Sequence, residues 1–227
     1  MPDLFPLFLS FKVATLATVI SLALGIGIAW LLARRRFPGK DLLDALVTLP
    51  MVLPPTVLGY YLLVIIGRRG PIGRLLEETF GITLVFTWQA AVIAAAVASA
   101  PLLIKAARAA FEGVDRRVED AARTLGRSEM GIFLTVTVPL AWRGIMAGTV
   151  LAFARALGDF GATIMVAGNI PGKTQTMPIA VYDAVLGDNM PLANLLVLVT
   201  TVAAAAVLIA LNRLERSAFQ RNRHAGG

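Results

Sequence analysis

The chain has 227 residues, of which 57% are hydrophobic and only 15% are charged. A soluble domain carries roughly 25% charged residues, so a water-soluble enzyme is excluded. The net charge of +7 sits at the ends of apolar runs and not in one continuous patch, which speaks for membrane orientation and against nucleic acid. There is no cysteine, which excludes disulfides and thiolate metal sites, and the single histidine, His224, lies in a basic tail.

Apolar runs of about 20 residues recur, each long enough to cross a bilayer as a helix that satisfies its own backbone. The sequence therefore predicts an all-α membrane protein: a five-helix transmembrane bundle in a single domain over 1–213, with a cytoplasmic basic tail over 214–227. The first helix is expected over 15–33, retained in the membrane and not a cleaved signal, and it stops at Arg34-Arg35-Arg36. A second, over 42–66, is interrupted by Pro50 and by Pro54-Pro55. A third, rich in alanine, is expected over 82–104. A long basic segment follows, then a fourth helix over 139–166 with Pro139 in its first turn, where a missing N–H costs little. Residues 168–189 read as a polar connection, and a fifth helix is expected over 192–211.

Five spans put the termini on opposite sides. With the N-terminus outside, the inner connections collect Arg34, Arg35, Arg36, Lys40, Lys105, Arg108 and the arginines of 115–127. The outer ones hold Lys12, Arg68, Arg69, Arg74 and Lys173. The positive-inside bias thus selects N-out and C-in, and places the basic segment in the cytoplasm. The small residues Gly144 and Gly148, four apart, favour close helix packing.

Within the basic segment, Val118, Ala121, Ala122 and Leu125 recur at helical spacing among charged neighbours, the pattern of a short amphipathic helix at the membrane surface. Asp115 can cap its start and Gly126 can end it with a sharp turn. Ala121 and Ala122 leave room for another surface to come close. The helix either receives a soluble partner or anchors the loop to lipid. Farther on, Arg155 and Asp159 lie four apart on one helical face. They form a structural pair, lie near the outer interface, or face a transport path. Thr48, Thr56 and Ser99 can line a wet path loosened by Pro50, Pro54 and Pro55, or bond back within their own helices.

The order Asp120-Ala121-Ala122, three residues, Gly126, nine residues, Val136, one residue, Val138-Pro139 resembles the cytoplasmic motif of permease subunits of binding-protein-dependent ABC importers. Asp120 stands where that family usually has glutamate, and Glu119 precedes it. The text from Ala154-Arg155-Ala156-Leu157-Gly158-Asp159-Phe160-Gly161 to Thr176, and Leu49 to Tyr61, resembles the molybdate (molybdate/tungstate) permeases. Sulfate/thiosulfate permeases are similar around Arg155-Ala156-Leu157-Gly158. The resemblance implies an ABC importer type I permease-like fold, with the segment 115–135 as coupling helix. It implies ATPase-coupling roles for Glu119, Asp120, Ala121, Ala122, Gly126 and Pro139. It further implies a bacterial inner-membrane assembly of two copies of this chain, two cytoplasmic ATPase subunits and an extracytoplasmic oxyanion-binding protein. This chain would bind no cofactor, and ATP and Mg²⁺ would belong to the partner. The sequence contains no Gly-x-x-x-x-Gly-Lys-Ser/Thr phosphate loop, so it is expected not to be an enzyme. The alternatives are a sulfate/thiosulfate ABC permease, a proton- or sodium-driven carrier, which beyond Arg155 and Asp159 has few ionisable groups to work with, and a membrane scaffold with no transport role.

Overall fold

A computed structural model describes residues 4–224, and every regular element in it is helical. Among the described residues, four helices are long and apolar enough to cross a membrane: α1 (Phe5–Arg34), α5 (Trp88–Glu112), the run Glu129–Leu157, and the first part of α11 (Met190–His224). The pair α2 (Lys40–Val52) and α3 (Pro55–Ile66) makes a fifth crossing if its two halves are taken together. Between these lie α4 (Pro71–Phe80), α6 (Arg116–Thr124), α9 (Gly161–Ala167) and α10 (Met177–Leu186). Glu129–Leu157 is itself α7 (Glu129–Ile132), a π-helical turn (Phe133–Thr137) and α8 (Val138–Leu157).

The centre of the bundle is α1 against α5 and α5 against α8. Lys12 lies 3.6 Å from the centre of the Trp88 ring, Ser21 donates to the Ala96 carbonyl, and Arg34 donates to the Val114 carbonyl. Both chains advance together along these contacts, so α1 and α5 are parallel. The helix α8 runs back antiparallel, with Gly144 against Ala110 and Gly148 against Ala106 and Leu103. Small residues at both positions let the backbones come close, as the Gly144/Gly148 spacing predicts.

Two apolar clusters fill the bundle. Near the Trp88 end, Leu9, Val13 and Ala17 of α1 meet the alanines Ala90 to Ala98, together with Leu58, Leu62, Ala162 and Val166. Near the arginine-rich end, Leu32, Ile104, Phe111 and Ile145 close the core. A smaller cluster holds Met177 and Ala180 of α10 on Leu196 of α11.

Several boundaries differ from the sequence expectation for identifiable reasons. The helix α1 begins at Phe5 and not near residue 15, because Lys12 is accommodated over Trp88 and does not end the helix. The third span is shifted to Trp88–Glu112. Thr87 caps its start by accepting from Ala90 N, and Asp44 pairs with Lys105 at 2.6 Å and Arg108 at 3.0 Å, so those cations stay in the helix.

The second span is not one kinked helix. Leu53 and Pro54 are extended, and α2 and α3 meet at 118°. A proline pushes the residue before it out of the helical region, and Pro54-Pro55 does so twice in succession. The fourth span starts ten residues early, at Glu129, and breaks at Gly158–Phe160, so 161–167 is a separate helix. A π turn directly precedes Pro139, whose ring cannot donate to the turn before it. The connection 168–189 contains α10, pinned where Met177 N donates to Ser10 Oγ at 2.8 Å. The helix α11 continues to His224 through most of the expected tail, and residues 225–227 lie outside the described residues.

Candidate functional site

The basic segment folds as a capped helix followed by a turn. Asp115 accepts from Arg117 N at 2.9 Å and starts α6. Gly126, at φ +80°, ends it in the left-handed region that glycine enters without strain. Ser128 then accepts from Gly131 N and starts α7. Two helix starts and one glycine turn thus fix the segment at the arginine-rich end of the bundle.

The faces of α6 are sharply different. Val118 is 46% exposed, Leu125 84% and Met130 66%, and Ala121 is open beside them. These apolar side chains stand among the exposed arginines Arg116, Arg117, Arg123 and Arg127 and the exposed acids Asp120 and Glu129. Asp120 also points outward and pairs with Arg123, which reaches on to Glu129 at 2.6 Å. The Glu129 carboxylate hydrogen-bonded to Arg123 holds that guanidinium above its ordinary pKa, and Asp120 adds to the effect. A cleft of about 360 Å³ lies behind this stripe, between α6 and the end of α1, walled by Trp30, Arg34, Arg35 and Phe133.

Glu119 departs from its neighbours. It is 8% exposed and turns into the bundle, where Arg34 Nη2 donates to its Oε1 at 3.0 Å and Thr137 Oγ1 donates to the same oxygen at 2.6 Å. Of the six residues with expected coupling roles, Asp120, Ala121 and Gly126 are exposed, Ala122 is half-buried, and Pro139 is exposed at the start of α8. Arg34 and Thr137, which complete the Glu119 contact, carry no local sequence signal that marks them. An arginine at the end of a span reads as an ordinary interfacial cation.

The pathway candidates do not gather in one place. Thr48 is half-buried and donates back to the Asp44 carbonyl at 2.7 Å. Thr56 is exposed in the first turn of α3, beside the exposed Pro54 and Pro55, and Pro50 lies inside α2. Ser99 is fully buried, and its hydroxyl and that of Ser21 on α1 both approach the Ala96 carbonyl, so it belongs to the α1–α5 seam.

Arg155 and Asp159 do pair, at 3.0 Å, with the Asp159 side chain 1% exposed and that of Arg155 31%. The other Asp159 oxygen accepts from both Thr163 N and Thr163 Oγ1. Asp159 therefore ties the end of α8 to the start of α9, and its charge is met on both oxygens.

The chain is a helical multi-pass membrane protein presenting an apolar-and-basic amphipathic helix at its arginine-rich end. Residues 21–224 match the family model of the binding-protein-dependent transport system inner membrane component, and the chain belongs to that family. It is 51% identical over 219 residues to the molybdenum transport system permease protein ModB of Escherichia coli (strain K12), covering 95% of this chain and 96% of that protein. ModB of Haemophilus influenzae is 49% identical over 175 residues, covering 77% and 76%, and ModB of Azotobacter vinelandii 43% over 183 residues, covering 81% of each. Among solved structures, the fold matches a chain of the MetNI methionine ABC transporter with TM-score 0.72 at 17% identity, over 93% of this chain and 94% of that one. A chain of a bacterial importer of alginate matches with TM-score 0.72 at 14% identity, over 92% and 79%. The fold is thus that of an ABC importer permease, and the chain is a membrane component of such a system.

Proposed function

We propose that this chain is the membrane-spanning subunit of an ATP-driven importer of molybdate, with tungstate as the alternative ion of the same shape and charge. The observation that carries the substrate is the 51% identity over 95% of the chain to a molybdenum permease. The working assembly is two copies of this chain, two ATPase subunits and an extracytoplasmic binding protein that delivers the oxyanion. The termini lie N-out and C-in, which puts Arg34 to Arg36, Lys105, Arg108 and α6 on the cytoplasmic side.

In this reading α6 is the coupling helix. Its outward apolar residues Val118 and Ala121, with Leu125 just past its end and Met130 on α7, supply the desolvating contact with the ATPase, and Arg116, Arg117, Arg123 and Arg127 surround them with a basic rim that orients it. ATP draws the two motor subunits together, the docked α6 helices follow, and the two bundles rock to alternate access. Gly126 sets the turn that presents Leu125.

The oxyanion needs polar groups along its route but no tight site, because it must leave again. The break at Leu53–Pro54 interrupts the second span about half-way, and Thr56 with the free N–H groups at the start of α3 offers an anion a favourable stop there. Arg155, half-buried nearby in sequence to the second break, remains the other candidate to meet a negative ion.

The test is reconstitution of the complex with its ATPase and binding protein, followed by ATP-dependent uptake of molybdate in competition with tungstate and with sulfate. Competition by tungstate but not by excess sulfate supports the assignment. Preferential sulfate uptake would move it to the sulfate/thiosulfate permeases, and uptake driven by an ion gradient without ATP would overturn it.

A further inference from the structure

Arg34 is the last residue of α1, Val114 sits in the turn joining α5 to α6, Glu119 is on α6, and Thr137 ends the π turn that leads into α8. One pair of side chains joins all four places. Arg34 Nη2 donates to the Val114 carbonyl at 3.0 Å and to Glu119 Oε1 at 3.0 Å, and Thr137 Oγ1 donates to that same Oε1 at 2.6 Å. The side chains of Arg34 and Glu119 are 9% and 11% exposed, and Thr137 is 1% exposed. Arg34 Nε is buried there without a hydrogen-bond partner, so the guanidinium is held by its Nη2 contacts alone at the point where α1 meets α6.

These contacts face away from the docking side of α6. A partner pressing on Leu125 does not touch Glu119, yet any displacement of α6 must either carry Arg34 and Thr137 along or break a buried, charge-assisted contact. Thr137, one of the two donors to Glu119, ends a π turn, an irregular stretch whose wider winding lets a helix change register locally. We propose that Arg34 and Thr137 are positioning residues that act through the buried Glu119 carboxylate to transmit the movement of α6 to the first and fourth spans. Glu119 acts inward as the fixed point of this linkage, not as an acidic contact to the motor. The inference rests on α6 being the coupling helix.

The experiment uses the complete complex in proteoliposomes and measures molybdate moved per ATP hydrolysed, alongside retention of the ATPase subunit and its basal rate. Thr137→Val removes one hydroxyl at nearly constant volume. With assembly and basal hydrolysis unchanged, transport per ATP is expected to fall about fivefold, the size of a coupling contribution of this kind. Glu119→Gln is expected to do the same, and the exchanged pair Arg34→Glu with Glu119→Arg to recover part of the loss. A complex that assembles with Thr137→Val and Glu119→Gln and still moves the wild-type amount of ion per ATP overturns the linkage. Loss of transport and hydrolysis in equal proportion also overturns it, since that is the mark of a merely structural role. Failure of the underlying docking reading is seen separately, in the wild type, as an ATPase that binds without covering Leu125.

Discussion

A Cβ added at Gly144 would lie 2.4 Å from the Cβ of Ala110, closer than two carbon atoms can approach. The contact recurs one turn along, where a Cβ at Gly148 would lie 2.8 Å from that of Ala106. The separation of α5 and α8 is therefore set by the absence of side chains at these two positions. Gly144→Leu must push the helices apart and is expected to destabilise the protein by about 1–3 kcal/mol, as overpacking of a close contact does. Gly27→Leu, where nothing stands within 4 Å, is the control. Thermal unfolding of the two variants in detergent distinguishes them, and equal melting losses would contradict the packing described.

Gly126 has open space around its Cβ position but a φ of +80°. Any effect of substitution there is a backbone effect. Gly126→Val is expected to strain the turn by about 1–2 kcal/mol and to lower the amount of ATPase subunit retained on affinity purification, with membrane insertion intact. Gly126→Asn, which tolerates the left-handed region, is expected to retain it. Equal retention by both variants would separate the turn geometry from docking.

Asp159 is buried with both oxygens engaged, whereas Arg155 is partly open. Asp159→Ala leaves Arg155 and Thr163 without their acceptor and is expected to cost up to about 3–5 kcal/mol. Asp159→Asn keeps one acceptor oxygen for Thr163 but loses the charge and the second acceptor that Arg155 uses, so its melting temperature should fall between wild type and the alanine variant. An alanine variant as stable as wild type would show that the α8–α9 junction does not depend on this carboxylate.

The membrane-length apolar runs, the capped amphipathic helix and the Gly126 turn are legible in the sequence because each is local: composition, a 3.6-residue period and one glycine suffice. What is not legible depends on partners far along the chain. Lys12 looks like a helix boundary until Trp88 is beside it, and Lys105 and Arg108 look like the start of a loop until Asp44 meets them. The direction of Glu119 is hidden for the same reason, since Arg34 lies 85 positions away. The break at Gly158–Phe160 is readable in hindsight from Gly158-Asp159, a glycine followed by an acid that bonds to the next helix, but the unbroken apolar text on both sides favours one long helix.

The central claim is that the outward face of α6 meets the motor subunit in the cytoplasm, and the chain suits a direct measurement because it has no cysteine of its own. Leu125→Cys on α6 and Phe80→Cys on α4 each place one thiol at an exposed position, 84% and 68% accessible in the native side chains. With a short bifunctional maleimide and an ATPase carrying one reactive thiol in its docking groove, the residue 125 thiol is expected to cross-link to the ATPase, with a yield that changes on adding ATP. It should also resist impermeant reagents applied from outside, while the residue 80 thiol reacts with them and never cross-links. Labelling of residue 125 from the exterior, or no cross-link to the ATPase in a preparation that transports molybdate, would contradict the account.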